Sequence, residues 1–308
     1  MAEMKPVGRF APTPSGRMHL GNVFAALMAW LSARSRDGEM VLRMEDLDTQ
    51  RTCGEYAQVL REDLAWLGLT YDRETEPQSR RSAVYDRYFE ALREQGLLYP
   101  CYCTRSQLHS VNAPHLSDGT YVYPGTCRDL TARQQAAFQR QPAWRLRVPD
   151  RVWQVADLVQ GDSQWNLATD CGDLVVRRAD GVYVYQLAVT VDDGEAGVTE
   201  VVRGMDLLSS APRQMYLQEL FGFPHPSYAH VPMLLAPDGR RLSKRDRDLD
   251  LGVLRGRITA EALIGTLAYA AGLIDRNTPI SLQELLPEFS WDKLTGESIY
   301  LDSEHLTR

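Results

Sequence analysis

Two segments near opposite ends of the chain carry residues suited to holding a triphosphate. The first runs Arg9-Phe10-Ala11-Pro12-Thr13-Pro14-Ser15-Gly16-Arg17-Met18-His19-Leu20-Gly21-Asn22. A strand (Val7 to Ala11) leads into it, two prolines and Gly16 turn it, and a helix is expected to begin at His19-Leu20-Gly21-Asn22. The N-terminus of such a helix offers backbone N–H groups to phosphate oxygens, and Gly21 lets a nucleotide approach closely. The second segment, Arg241-Leu242-Ser243-Lys244-Arg245, is a basic loop after a Pro237-Asp238-Gly239 turn. Ser243 and Lys244 would clamp the same triphosphate from the other side. Either segment alone reads as an ordinary surface turn; their joint presence points to a nucleotide.

Between them lies a second chemistry. The stretch Leu42-Arg43-Met44-Glu45-Asp46-Leu47-Asp48-Thr49-Gln50-Arg51 sets three carboxylates at the carboxyl end of a predicted strand. Open α/β sheets bind ligands at that end. In isolation it is an acidic strand end. As a site, it has Glu45 receiving an ammonium group, with Asp46 or Asp48 as structural partners of Arg43 or Arg51. Further on, Arg203 closes an apolar strand just before Gly204. A guanidinium held rigidly there presents a planar fork to a carboxylate. Glu45 and Arg203 with Arg9 and Tyr185 would suit a zwitterion bearing a second carboxylate, which is glutamate, because the extra negative charge needs an extra cation.

Cysteine supplies the third. Five cysteines, an odd number, point to reduced thiols and a cytoplasmic location. Cys53 and Cys171 stand alone and are expected to pack as small hydrophobes. Cys101-Tyr102-Cys103, followed by Cys127, would hold a structural zinc ion, one per chain, with a fourth ligand. Coordination chemistry favours His109 or His115 for that fourth place, Tyr123 being the less usual donor.

These groups need elements to position them. The chain of 308 residues is 44% hydrophobic and 24% charged, an ordinary globular mixture with ample length for a core. No apolar run approaches a membrane span, so no membrane partner is expected, and Met1-Ala2-Glu3-Met4-Lys5-Pro6 lacks a signal peptide's apolar stretch. The net charge of −7 permits a local basic face for RNA. Periodicity predicts helices at about Leu20–Arg34, Gly54–Leu67, Arg80–Gln95, Thr131–Gln139, Ala211–Phe221, Thr259–Ala271 and Ser281–Leu286. Strands are expected at Met40–Met44, Trp144–Val148, Arg151–Leu158, Val182–Val189 and Tyr228–Leu235. The texture changes from Tyr99, and the α/β pattern resumes at Val182. The expected organisation is a parallel α/β catalytic unit in two halves, 1–98 and 182–236, split by an α+β insertion at 99–181. A helical region with the basic loop follows at 237–308.

With those residues in view, a resemblance becomes specific. The two terminal segments resemble the HIGH and KMSKS signatures of class I aminoacyl-tRNA synthetases. Arg9–Gly16, Leu42–Asp46, Val201–Gly204 and Arg241–Arg245 all look like the catalytic domain of glutamyl-tRNA synthetases, over about residues 7 to 250. Those enzymes continue into a helical anticodon-binding region, whereas this sequence stops at Arg308. That pattern is similar to the glutamyl-queuosine tRNA(Asp) synthetase family. The resemblance implies a class I Rossmann-type parallel sheet, a zinc-bearing insertion and a C-terminal helical stem-contact region. It implies that Arg9, Phe10, Ala11, Pro12 and Thr13 line the L-glutamate site, that Glu45 takes the α-ammonium, and that Tyr185 and Arg203 bind the amino acid, Arg203 at its side-chain carboxylate. His19, Gly21 and Asn22 would hold ATP from one side and Leu242, Ser243 and Lys244 from the other, with His19 and Lys244 catalytic and Mg2+ brought by ATP. The family's Tyr-x-x-x-Cys spacing points to Tyr123 as the fourth zinc ligand beside Cys101, Cys103 and Cys127. One departure is Arg241, where the signature loop more often begins with lysine.

The implied reaction joins glutamate to the queuosine of a tRNA(Asp) anticodon stem-loop, by an enzyme expected to be monomeric. The acceptor rests on the resemblance alone. Rival readings are a truncated glutamyl-tRNA synthetase charging an acceptor end, a glutamate-activating ligase for a small amine or carrier protein, and a non-catalytic zinc-bearing RNA-binding module.

Overall fold

In the computed structural model, residues 5–104, 107, 122–240 and 250–301 are described. The strand Val7–Phe10 pairs in parallel with Glu39–Leu42, which pairs in parallel with Arg73–Glu74. The helix Leu20–Arg34 makes the first crossover, and it buries Leu20, Val23, Phe24, Leu27 and Leu31 at helical spacing. A second parallel pair, Glu200–Gly204 with Ser227–Val231, stands beside the first. Thr199 joins them by donating its amide to Val7 O at 2.9 Å. All of these strands point the same way, so their carboxyl ends share one rim.

Between the halves, the antiparallel sheet Leu98–Cys101, Ala143–Leu146 and Leu174–Arg177 and the hairpin Val152–Val155 with Ser163–Asn166 form the interrupting block. Apart from a small cluster of Tyr99, Cys101, Tyr123 and Cys127, this block shares its core with the rest of the chain. Its Leu98, Leu146, Trp153, Leu174 and Val176 pack with Tyr85, Phe89 and Leu92 of the helix Ser82–Glu94 and with Leu187, Val191 and Leu217. The other large core joins the first crossover helix to Leu263, Leu267 and Leu285 of the C-terminal helices Ala260–Ala270 and Leu282–Leu285. Both C-terminal helices begin with a hydroxyl cap, Thr259 and Ser281, each accepting an amide of the first turn.

Most predicted elements lie within a few residues of their expected bounds, and two differ in kind. The expected strand Val182–Val189 is replaced by a helix, Tyr185–Glu195. Its β-branched residues suggested a strand, yet seven consecutive positions from Leu187 to Asp193 are buried. That leaves no alternation to read, because the helix is enclosed on nearly every side. The expected strand Tyr228–Leu235 is interrupted after Val231, with Leu234–Leu235 pairing instead with Ile299–Tyr300. Pro232 follows directly and has no N–H for the ladder. Among the described residues no helix is long and apolar enough to cross a membrane.

Candidate active site

The first strand ends at Phe10, and its ladder continues one step further: Arg43 N donates to Phe10 O at 2.9 Å and Glu45 N to Pro12 O at 3.0 Å. Gly16 takes φ +148°, and the chain enters the helix through His19, an extended N-cap with no side-chain bond to the first turn. The helix therefore presents its first-turn amides without a capping side chain. At Gly21 an added Cβ would lie 3.2 Å from His19 Cε1 and Nδ1, so a larger residue there would push that imidazole aside by a few tenths of an ångström.

These features open into one cavity of about 680 Å³. Arg9, Phe10, Ala11, Pro12, Thr13, His19, Gly21, Asn22, Glu45, Tyr185 and Arg203 all line it. They come from four separate stretches of sequence and meet because the parallel strands end together. Leu242, Ser243 and Lys244 lie outside the described residues, as do His109 and His115. Asp250, five positions beyond the basic segment, forms a β-bridge with His19. Arg17 and Arg255, from the two sides, both reach Asp63 Oδ1, at 2.8 and 3.0 Å.

Beneath the cavity lies a buried ionic cluster that sequence reasoning left unassigned. Arg43, fully buried, contacts Asp193 at 2.5 Å, Glu45 at 2.9 Å and Asp192 at 3.7 Å. Arg9 lies 3.6 Å from Asp193 and donates to Val202 O at 2.9 Å. The expected pairing of Arg43 with Asp46 or Asp48 is thus corrected: Asp46 accepts from Ser79, and only the exposed Arg51–Asp48 pair forms, at 3.4 Å. An arginine this deep needs acids equally deep, and the helix Tyr185–Glu195 supplies two of them.

Burial alone would lower the Arg43 pKa, but its three carboxylates outweigh burial and raise it. Burial pushes Glu45 above the usual carboxylate range, against the opposing pull of Arg43 and Arg9. Asp193 is also disfavoured as an anion by burial, yet Arg43 and Arg9 together hold its pKa below the ordinary value. Asp193 is therefore the fixed anion, and Glu45 the acid poised to respond to an arriving cation.

Arg203 is buried beside Tyr185 and shares the cavity wall with Glu45. Its Nη1 donates to Gln214 Oε1 at 2.8 Å and reaches Tyr185 Oη at 3.5 Å, and its Nε donates to His230 Nε2 at 2.9 Å. Nη2 is buried and has no hydrogen-bond partner among the described residues. A buried guanidinium nitrogen in that state carries a desolvation cost of about 1–3 kcal/mol or more, which an incoming anion would relieve.

Away from the cavity, the sulfurs of Cys101, Cys103 and Cys127 lie within 4.8 Å of one another. Tyr123 Oη sits 3.5 Å from Cys101 Sγ and 3.8 Å from Cys103 Sγ, and it accepts the Cys127 amide at 2.8 Å. Arg145 donates to Cys101 Sγ at 3.3 Å and lies 3.6 Å over the Tyr123 ring. Burial opposes ionisation of Cys101, but the Arg145 guanidinium holds its pKa below the usual thiol value. These residues can hold a metal ion. Of the two lone cysteines, Cys171 is buried as expected, whereas Cys53 is exposed at the N-cap of the helix Gly54–Trp66. A cap position has one side open to water, which the composition around Cys53 did not reveal.

Comparison with known proteins agrees with this geometry. The family described as tRNA synthetases class I (E and Q), catalytic domain, matches residues 6–257. A curated relative from Symbiobacterium thermophilum, named glutamyl-Q tRNA(Asp) synthetase, is 43% identical over 96% of each chain. One of the same name from Nitratidesulfovibrio vulgaris is 45% identical over 88% of each. Among solved structures, a glutamate-tRNA synthetase from Elizabethkingia anophelis superposes with a TM-score of 0.84 at 28% identity, covering 98% of this chain and 69% of that one. A glutamate tRNA ligase from Elizabethkingia meningosepticum, solved in complex with its amino acid, gives 0.83 at 28% identity, covering 98% and 68%. With its parallel α/β sheet and this match over most of its length, the chain belongs to the class I tRNA synthetases of the E and Q type, an ATP-dependent ligase family, and within it to the glutamyl-Q tRNA(Asp) synthetases.

Proposed function

We propose that the enzyme activates L-glutamate with ATP and transfers it to the queuosine at the wobble position of tRNA(Asp). The observation that carries the glutamate half is the buried Arg203 Nη2, without a partner among the described residues, on the wall of a cavity that also holds Glu45. Arg203 would take the side-chain carboxylate, Glu45 the α-ammonium, and Tyr185 and Arg9 the remaining polar edge, over the backbone of Phe10, Ala11, Pro12 and Thr13. The α-carboxylate is left facing the uncapped helix start, where His19, Gly21 and Asn22 would receive ATP. Lys244, with Leu242 and Ser243, would meet the phosphates from the other side.

The α-carboxylate then attacks the α-phosphorus in line, forming the acyl–phosphate bond as pyrophosphate leaves. No general base is needed, because the carboxylate is already ionised at neutral pH. Catalysis is therefore positioning and charge stabilisation by His19, the helix amides and Lys244, with Mg2+ arriving on ATP. In the second step a ring hydroxyl of queuosine attacks the acyl carbon and AMP leaves. The queuosine acceptor is supported by the names of the relatives that align over 96% and 88% of their length.

Cys101, Cys103, Cys127 and Tyr123 would hold zinc. A tetrahedron with Zn–S of about 2.3 Å and Zn–O of about 2.0 Å has edges of roughly 3.5–3.8 Å. The Tyr123–Cys101 and Tyr123–Cys103 separations and the 3.6 Å between Cys103 and Cys127 fit those edges. Four protein ligands leave no open position, so the ion would be structural. We assign residues 99–181 to an insertion and 237–308 to a stem-contact region.

The test is incubation with labelled glutamate, ATP and tRNA(Asp) with and without queuosine. Label should enter only the queuosine-bearing RNA and should survive periodate treatment of the terminal ribose. Efficient, periodate-sensitive charging of unmodified tRNA(Glu) would overturn the acceptor.

A further inference from the structure

The guanidinium on which the choice of glutamate depends is held from behind. Arg203 Nε donates to His230 Nε2 at 2.9 Å, and His230 Nδ1 lies 2.5 Å from Asp157 Oδ2. His230 is fully buried, with Arg203 at 5% and Asp157 at 8% exposure. An arginine Nε carries a hydrogen and no available lone pair, so His230 Nε2 is the acceptor in that contact. A neutral imidazole accepting at Nε2 has its proton on Nδ1, where it faces the carboxylate.

Each member of this line is itself fixed. Arg203 and His230 are register partners on adjacent parallel strands, which sets their separation through the backbone. Asp157 reaches them from the interrupting block, where it forms a parallel bridge with Tyr228. Its Oδ1 accepts the amides of Val159 at 3.0 Å, Gln160 at 2.9 Å and His230 at 3.1 Å. Its carboxylate therefore cannot rotate freely.

The charges agree. Burial works against ionised Asp157, but hydrogen bonds from His230 and Gln160 prevail and keep its pKa below the usual range. Burial, reinforced by the Arg203 and Arg9 charges, keeps His230 below its ordinary pKa despite the pull of Asp157. Apart from these charged groups, the Tyr228 ring stacks on His230 with centroids 5.9 Å apart.

We propose that Asp157 and His230 are positioning residues for amino-acid selection: Asp157 fixes the Nδ1–H tautomer of His230, whose Nε2 lone pair aims Arg203 at the substrate's side-chain carboxylate. This rests on the reading of Arg203 given above. The other tautomer, or the imidazolium, would set an N–H against the Arg203 Nε–H and turn the fork away. The device also links the interrupting block to the amino-acid pocket, since the residue that sets the tautomer does not belong to the strands carrying the other two.

Long-range 1H–15N spectra of the wild-type protein at neutral pH, with the His230 signal assigned by its loss in His230→Gln, read the tautomer directly. Protonated Nδ1 and unprotonated Nε2 are expected; the reverse tautomer or an imidazolium would overturn the proposal without any need for a second variant. Asp157→Asn keeps an oxygen for the three amides and turns an NH2 toward Nδ1, so the proton should move to Nε2. In glutamate-dependent pyrophosphate exchange its KM for glutamate should rise about tenfold or more, the scale of one misdirected charge-assisted bond. Its KM for ATP and its thermal midpoint should change little, which a general loss of structure would not allow. A switched tautomer with wild-type glutamate KM, or an Asp157→Asn protein that keeps Nδ1–H, would refute it. Wild-type protein that shows no glutamate-dependent exchange would instead refute the proposed function, and the wild-type spectrum would still decide the tautomer.

Discussion

In the proposed reading Arg203 and Glu45 divide the recognition of glutamate between them, and each makes a different prediction. Arg203 has Nε and Nη1 engaged by His230 and Gln214, leaving Nη2 for the substrate. Arg203→Ala should therefore lower kcat/KM for glutamate activation by roughly 30-fold to over a thousandfold, equivalent to the 2–5 kcal/mol lost when one partner of a buried charge pair is truncated. Pyrophosphate exchange measures this, and near-normal activity would remove Arg203 from the pocket. Glu45 instead gives a pH dependence. Burial raises its pKa in the folded protein, so it loses its charge at a higher pH than an exposed glutamate would. The ammonium of the substrate needs the ionised form. As pH falls through that raised value, kcat/KM for glutamate should fall too, because this parameter reports the free enzyme. Glu45→Gln should have a low, flat profile over the same interval; a variant that kept the wild-type acid limb would assign the limb to another group.

At the scale of the element, the start of the helix Leu20–Arg34 is proposed as the nucleotide-binding device because of what it lacks. Its N-cap residue His19 makes no side-chain bond to the first turn, and position 21 has no Cβ. Other helices of this fold do carry a side-chain cap, as Thr259 and Ser281 illustrate. Gly21→Ala should raise the KM for ATP several-fold by crowding His19, with glutamate affinity by calorimetry unchanged. Alanine favours helix over glycine by up to about 1 kcal/mol, so thermal stability should hold or rise. An unchanged ATP KM would separate Gly21 from nucleotide binding. The helix Tyr185–Glu195 serves two ends at once: Tyr185 lines the cavity from its first turn, and Asp192 and Asp193 reach Arg43 from its last.

Across the whole molecule, the interrupting block is tied to the catalytic halves by a shared core and by Asp157, while its cysteine cluster sits at the far end of the strand Leu98–Cys101. Damage at the cluster should accordingly spread to stability and RNA transfer more than to adenylate formation. Cys103→Ser should reduce zinc well below one ion per chain and lower the melting temperature, since a structural metal contributes its binding energy to folding. Elemental analysis and calorimetry measure both. Freshly purified wild-type protein without metal, prepared in the absence of chelators, would dismiss the site.

Much of the candidate site was legible in the sequence alone, because its residues sit in short contiguous motifs with their own local logic. The turn into Leu20–Arg34, Glu45 just past a strand, Arg203 at a strand end and the Cys-Tyr-Cys pair each announce themselves by type and spacing. Strand-end residues then converge by the general rule of parallel sheets. What no local pattern could disclose are the partners that hold these residues. Arg43 meets Asp193 across 150 positions, and His230 meets Asp157 across 73. Asp46 and Asp48 were nearer in sequence and equally charged, yet Arg43 is not theirs. In the same way Val182–Val189 reads as strand by its side chains, whereas enclosure on nearly every side erased the periodicity that separates helix from strand. Short-range chemistry is written in residue order. Which buried charge neutralises which is decided by the packing of distant segments, because an ion deep in the core is tolerated only where the tertiary fold brings it a partner.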